Sequence, residues 1–129
     1  DVEALFVGLK QLLEHPQVVA LGECGLDRLR GGSMELQEAV FCQQVTLSET
    51  LQKPLTIHCV RAFDIILQLK KKLRPTQQWT IHGFRGRPAL AQQLLDAGFD
   101  LSFGKQRNEE SFALTPPTRR HEETDDDWL

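Results

Sequence analysis

The sequence predicts an α/β fold in which parallel strands alternate with helices. Three observations carry that prediction. Short apolar runs recur at VVAL, LTIH, WTIH and FDLSF, stretches of helical period lie between them, and Pro or Gly closes most segments. The order is α-β-α-β-α-β-α-β, and each crossover is long enough for parallel pairing.

Each element has its own local reason. Residues 2–14 place Leu5, Leu9 and Leu12 at helical spacing, with Phe6 and Leu13 beside them and Pro16 as the stop. Val18, Val19, Ala20 and Leu21 read as a buried strand halted by Gly22. Ser33 caps the next helix, with Gln37 close behind and Leu36, Val40, Leu47 and Leu51 as its apolar stripe. Residues 55–58 make the second strand. Ala62, Ile66, Leu69 and Leu73 then share one face of a helix that ends at Arg74-Pro75. Residues 79–82 form the third strand. Pro88 opens a fourth helix at its first position, Leu90, Leu94 and Leu95 face inward, and Gly98 suits the C-terminal cap. Residues 99–103 form the fourth strand, closed by Gly104. Asn108 to Leu114 suit a short helix, whereas residues 119–127, eight of nine charged or histidine, read as a tail.

At 129 residues the chain suits one domain spanning 1–129 with a real core. No apolar run approaches the roughly 20 residues of a membrane helix, so no membrane partner is expected. The acidic start, Asp-Val-Glu-Ala-Leu-Phe, lacks a secretory signal pattern. Cys24, Cys42 and Cys59 are odd in number and show no Cys-x-x-Cys spacing, which argues against a disulfide framework or a thiolate zinc knuckle. A cytoplasmic location is the expectation. Residues 122–127 hold five of the 18 acids, and the remaining 13 against 15 Lys and Arg leave the rest of the chain at +2. Residues 61–88 carry seven Lys or Arg against Asp64 alone, a charge block that could attract phosphates or be solvated surface.

The informative fact for chemistry is positional. Glu23, His58 and His82 each close one of the first three strands, and the two histidines repeat a Thr-Ile-His register in LTIHC and WTIHG. Strand side chains alternate, so equal registers put both imidazoles on one side at one height. In parallel α/β folds the carboxyl ends of the strands form the active face. Three convergent nitrogen and oxygen donors there suit zinc, manganese or another hard divalent ion. A bland alternative stands beside this one, in which each histidine is an ordinary surface or hydrogen-bonded residue. Cys24 and Cys59 neighbour the proposed ligands but point the other way, as small buried hydrophobes under the helices. Phe84 and Phe103 read as packing, and His15 as an exposed helix end.

The segments VVALGECGLD, PLTIHC, TIHGFRG, DLSFG and ETDD, taken in this order from Val18 to Asp125, resemble the signatures of the TatD-like metal-dependent hydrolases, amidohydrolase-type TIM barrels. The resemblance implies a partial (β/α) barrel, often with deoxyribonuclease or phosphodiesterase activity, holding one or two divalent ions (zinc, manganese or magnesium). It implies that Glu23 bridges the metals, that His58 and His82 complete one site, and that Asp125 serves the other metal and helps activate the attacking water. DNA or another phosphodiester is the implied substrate.

The chain also departs from the family pattern. It has no His-x-His strand, and a typical barrel takes about 250 residues, so the first strands and the last part of the barrel are expected to lie outside these 129 residues. Arg120, His121 and Glu122 stand where an apolar strand is usual, which predicts that this segment lies outside the sheet or is altered. Arg85 replaces a small polar residue. Lys70, Lys71, Lys72 and Arg74 fall at a helix C-terminus, where cations complement the helix dipole. Arg61, Arg85 and Arg87 follow the histidine-bearing strands, and Arg61 and Arg85 are the candidate substrate-binding residues, with solvated loop arginines as the alternative. The expected function is metal-dependent phosphoester hydrolysis, with C–N bond hydrolysis as a related chemistry. The rival is a noncatalytic half-barrel that oligomerises or binds a partner through its open edges.

Overall fold

The computed structural model describes residues 21–29 and 32–123. Within them, β1 (Leu21–Asp27), β2 (Leu55–Val60), β3 (Trp79–Ile81), β4 (Asp100–Phe103) and β5 (Arg120–Glu122) form a single parallel sheet in the order β1-β2-β3-β4-β5. Helices α1 (Met34–Leu51), α2 (Phe63–Leu73), α3 (Pro88–Asp96) and α4 (Glu109–Leu114) join them, with a 3-10 turn at Pro117–Arg119 before β5. Each strand lies beside its predecessor and the order never reverses. Crossovers that all step in one direction, right-handed by general rule, put the described helices on one face, as in a closing (β/α) barrel and unlike a doubly wound sheet.

The strand pattern explains which face is covered. Leu55, Ile57, Trp79, Ile81, Leu101 and Phe103 are buried and pack with Phe41, Val45, Ile66, Leu94 and Leu95 from the helices. Alternation turns Thr56, His58, Thr80 and Ser102 to the other face. Trp79 anchors the core with edge-on contacts to Phe41 at 5.4 Å and Phe99 at 5.8 Å between ring centroids. Phe84 and Phe103 are fully buried and pack edge to face at 6.0 Å, so both are packing residues.

The caps follow the sequence signals. Ser33 Oγ accepts from the Leu36 amide and Asn108 Oδ1 from the Ser111 amide, while Pro88 stands in the first turn of α3. Gly98, at φ +94°, follows the end of α3. Lys70 reaches beyond its dipole role: its Nζ donates to the Ala97 carbonyl at 2.9 Å and lies 5.5 Å from the Phe99 ring centroid. Glu49, near the C-terminus of α1, accepts from Thr76 N and Oγ1 and from Gln77 N, which holds the turn entering β3.

Three expectations need correction. Gly22 does not stop the first strand, which runs on to Asp27 with a register irregularity between Leu21 and Cys24. Leu36 is 48% exposed, and the buried side of α1 is Phe41, Val45, Leu47 and Ser48. An eighteen-residue helix overhangs the strand it covers, so its first turn meets solvent. The charged segment is not all tail: Arg120–Glu122 is β5, parallel to β4 with Ser102 opposite His121. The charges are tolerated because they are paired at the outer strand. Asp100 receives Arg119 Nε and His121 Nε2 at 3.1 Å each. Arg107 meets Glu122 at 3.0 Å, and the Arg107 and Arg120 guanidiniums lie 3.5 and 4.1 Å from the Phe112 ring centroid. The helix expected over residues 2–14, the strand residues 18–20 and His15 lie outside the described residues.

Gly25 fixes the contact between β1 and β2. It sits opposite His58 at φ +151°, and a Cβ there would run into the His58 carbonyl. Gly25→Ala is therefore expected to destabilise the chain by more than about 2 kcal/mol, through backbone strain and loss of the β1–β2 approach. Urea denaturation of both proteins measures this; a difference below about 0.5 kcal/mol would show that the strands do not meet this closely.

Candidate active site at the carboxyl ends of the strands

The two Thr-Ile-His segments are in register. Thr56 pairs with Thr80 and Ile57 with Ile81, and the His82 amide donates to the Ile57 carbonyl at 2.8 Å. His58 lies one residue beyond Ile57 within β2, and His82 one residue beyond the end of β3, so they stand abreast on neighbouring strands. His58 is exposed and His82 nearly buried, with 9% of its side chain accessible.

The sequence reading missed the residue that organises this rim. Glu123 follows β5, and its side chain is 3% exposed. Its Oε1 accepts from the Gly83 amide at 2.8 Å and from Ser102 Oγ at 3.0 Å, and lies 3.3 Å from His82 Nδ1. Its own amide donates to the Phe103 carbonyl at 2.9 Å, which extends the β4–β5 ladder by one residue. Gly83 takes φ +64° in the turn, and this conformation brings its N–H onto the carboxylate. Glu123 Oε2 is buried without a hydrogen-bond partner among the described residues. A buried carboxylate oxygen with spare acceptor capacity is costly unless it serves a further donor or a cation. The signal was the glutamate of ETDD, but the three polar residues before it hid the strand that delivers it.

The other candidates fall as follows. Glu23 is the third residue of seven in β1, within the irregular stretch before Cys24, so it does not close its strand; its side chain lies outside the described residues, as does Asp125 entirely. Arg61 is exposed just past β2, in a left-handed conformation at φ +53°. Arg85 is exposed after β3 and donates to Gln106 Oε1 at 2.8 Å. Cys24 is buried and its Sγ donates to the Thr56 carbonyl at 3.2 Å. Burial pushes the Cys24 and Cys59 thiols up to about 12 each, so neither offers a thiolate at neutral pH. Among the described residues, no three His, Cys, Asp or Glu side chains converge closely enough to hold a metal.

A family model described as TatD-related DNase matches residues 1–128. The chain belongs to that family. It is 35% identical over 131 aligned positions to the 3'-5' ssDNA/RNA exonuclease TatD of Erwinia tasmaniensis, covering 94% of this chain and 51% of the relative. An uncharacterized metal-dependent hydrolase of Bacillus subtilis, YabD, is 34% identical over 74% of this chain and 38% of its own length. The crystal structure of YJJV, a TatD homologue from Escherichia coli, superposes with a TM-score of 0.81 at 25% identity, over 92% of this chain and 49% of that one. The chain thus spans about half the length of these relatives or less, and its five parallel strands match part of the YJJV structure. No described helix is long and apolar enough to cross a membrane.

Removing the Glu123 carboxylate strands a backbone amide and a buried hydroxyl in the rim. Glu123→Ala is expected to cost about 2 kcal/mol, and Glu123→Gln less, because its amide oxygen can still accept. Equal urea midpoints for wild type and Glu123→Ala would show that the carboxylate does not hold β3, β4 and β5 together.

Proposed function

We propose that this chain carries the catalytic rim of a metal-dependent phosphodiesterase acting on single-stranded DNA or RNA. The observation that carries the reading is the matched register of the two Thr-Ile-His strands, with a buried glutamate on the second imidazole. The donors fit a divalent ion. Two imidazoles stand abreast, and a carboxylate on one ring nitrogen is the arrangement that orients a ligating histidine. The Glu123 oxygen left without a partner adds anionic character beside them.

Glu23, His58, His82 and Asp125 would hold zinc, manganese or magnesium. Such an ion lowers the pKa of a water toward neutrality and so supplies a nucleophile. The protein's own contribution is positional and electrostatic. Glu123 and Gly83 fix the His82 ring, the β2–β3 ladder fixes His58 beside it, and Asp125 accepts the proton of the attacking water. Arg61 and Arg85 stand at the strand ends as cations for the phosphate oxygens. The names carried by the Erwinia and Bacillus relatives support both the nucleic-acid substrate and the metal dependence.

The test is turnover of a labelled single-stranded oligonucleotide with added manganese. Wild type is expected to cleave it, and Glu23→Ala and His58→Ala to lose at least about 100-fold. Activity that survives both substitutions would remove the proposed site. No turnover in any of the three proteins would favour the noncatalytic half-barrel.

A further inference from the structure

Among the described residues, two groups of Arg and Lys side chains lie at opposite ends of the strands. Lys70, Lys71 and Lys72 close α2 at the amino ends of the strands, where Lys70 is committed to a carbonyl and a ring. The second population lies at the carboxyl ends. Arg28 follows β1, Arg61 follows β2, Arg85 and Arg87 follow β3, and Lys105 follows β4. Four successive strand-to-helix junctions thus each deliver at least one cation to the rim that bears His58 and His82.

Structural pairing does not account for these cations. Arg28 reaches Asp64 at 3.4 Å in an open contact with side chains 47% and 66% exposed. Among the described residues, Arg85 bonds the neutral Gln106 amide and no acid. Arg61, Arg87 and Lys105 are exposed and make no ion pair among the described residues. Near the β4 end, Arg107 engages Glu109 and Glu122, and Glu123 is held by the Gly83 amide and the Ser102 hydroxyl beside His82. Arg61 also holds the left-handed backbone that glycine adopts most readily, so its side chain is kept at a conformational cost.

Register makes the population a row. Asp27 pairs with Val60, and the Arg28 amide donates to the Val60 carbonyl at 3.0 Å, so Arg28 and Arg61 sit on adjoining strand ends. Neighbouring strands are about 4.8 Å apart, so four junctions span at least roughly 15 Å across the sheet. One phosphate cannot engage such a row; a strand with several successive phosphates can. We propose that Arg28, Arg61, Arg85, Arg87 and Lys105 form a track for the backbone of a single-stranded nucleic acid, holding nucleotides beyond the scissile bond. This deepens the proposed function and rests on it for the position of that bond.

Binding and turnover can be read apart. Fluorescence anisotropy in EDTA, with labelled decathymidylate and dithymidylate, measures binding without cleavage. The longer strand is expected to bind more tightly, with affinity falling as salt rises. Arg61→Gly and Arg85→Gln should each weaken the decamer several-fold and flatten the log–log salt slope by about 0.7 per lost phosphate contact. The Arg61→Gly melting temperature should hold or rise, because the substitution relieves the backbone, and that separates lost charge from lost fold. Lys71→Gln with Lys72→Gln should change neither affinity nor slope. Equal binding of the two lengths, or unchanged slopes in both arginine variants, overturns the track. Hydrolysis of bis(p-nitrophenyl) phosphate with manganese reads the hydrolase separately. Turnover of that small ester with arginine-independent oligonucleotide binding leaves the hydrolase standing and removes the track. Arginine-dependent binding without turnover of any ester supports the track and removes the hydrolase.

Discussion

The rim depends on one buried carboxylate. Glu123 arrives from beyond β5 and accepts from the turn after β3 and from the middle of β4, beside the His82 ring. Two neutral donors and an imidazole compensate one of its oxygens, and the other has no partner among the described residues. A carboxylate with 3% of its side chain accessible needs compensation from its surroundings. The same group therefore ties β3, β4 and β5 together and sets an acceptor beside the His82 ring. Stability and chemistry meet at one side chain.

Around that carboxylate, the architecture supplies position with little specialised geometry. Parallel pairing with unbroken strand order brings every strand's carboxyl end to the same edge, and the matched Thr-Ile-His registers then set two imidazoles side by side. Gly25 lets β1 approach the His58 carbonyl closely, so that β1 runs on to Asp27 beside Val60 at that edge. The opposite end carries a different load. Asp100 gathers Arg119, His121 and Gln78 at the start of β4, and beside the far end of β5 the Arg107 and Arg120 guanidiniums approach the Phe112 ring. These contacts let a strand of Arg, His and Glu join a parallel sheet.

Much of this was legible in the sequence, because apolar alternation and cap residues are local signals. The strands at 55–58, 79–82 and 99–103 and the helices opened by Ser33, Pro88 and Asn108 all appear within a residue or two of their expected bounds. The histidine register could be read directly because the two strands repeat the same tripeptide. Long-range compensation could not be read. β5 looks like a solvated tail until Asp100, Arg107 and Phe112 are seen beside it, and Glu123 looks like one acid among five until Gly83, Ser102 and His82 are located around it. The exposure of Leu36 has a similar origin, since periodicity shows that a helix has an apolar face but not how far the sheet beneath it extends.

The proposed site requires that the strand ends converge on a divalent ion within this chain. Elemental analysis of the purified and dialysed protein, beside His58→Ala and His82→Ala, tests it most directly. The wild type is expected to retain at least one divalent ion per chain, and both variants to lose it while their melting remains cooperative. A folded wild type that retains no metal, or variants that keep the full complement, would contradict it.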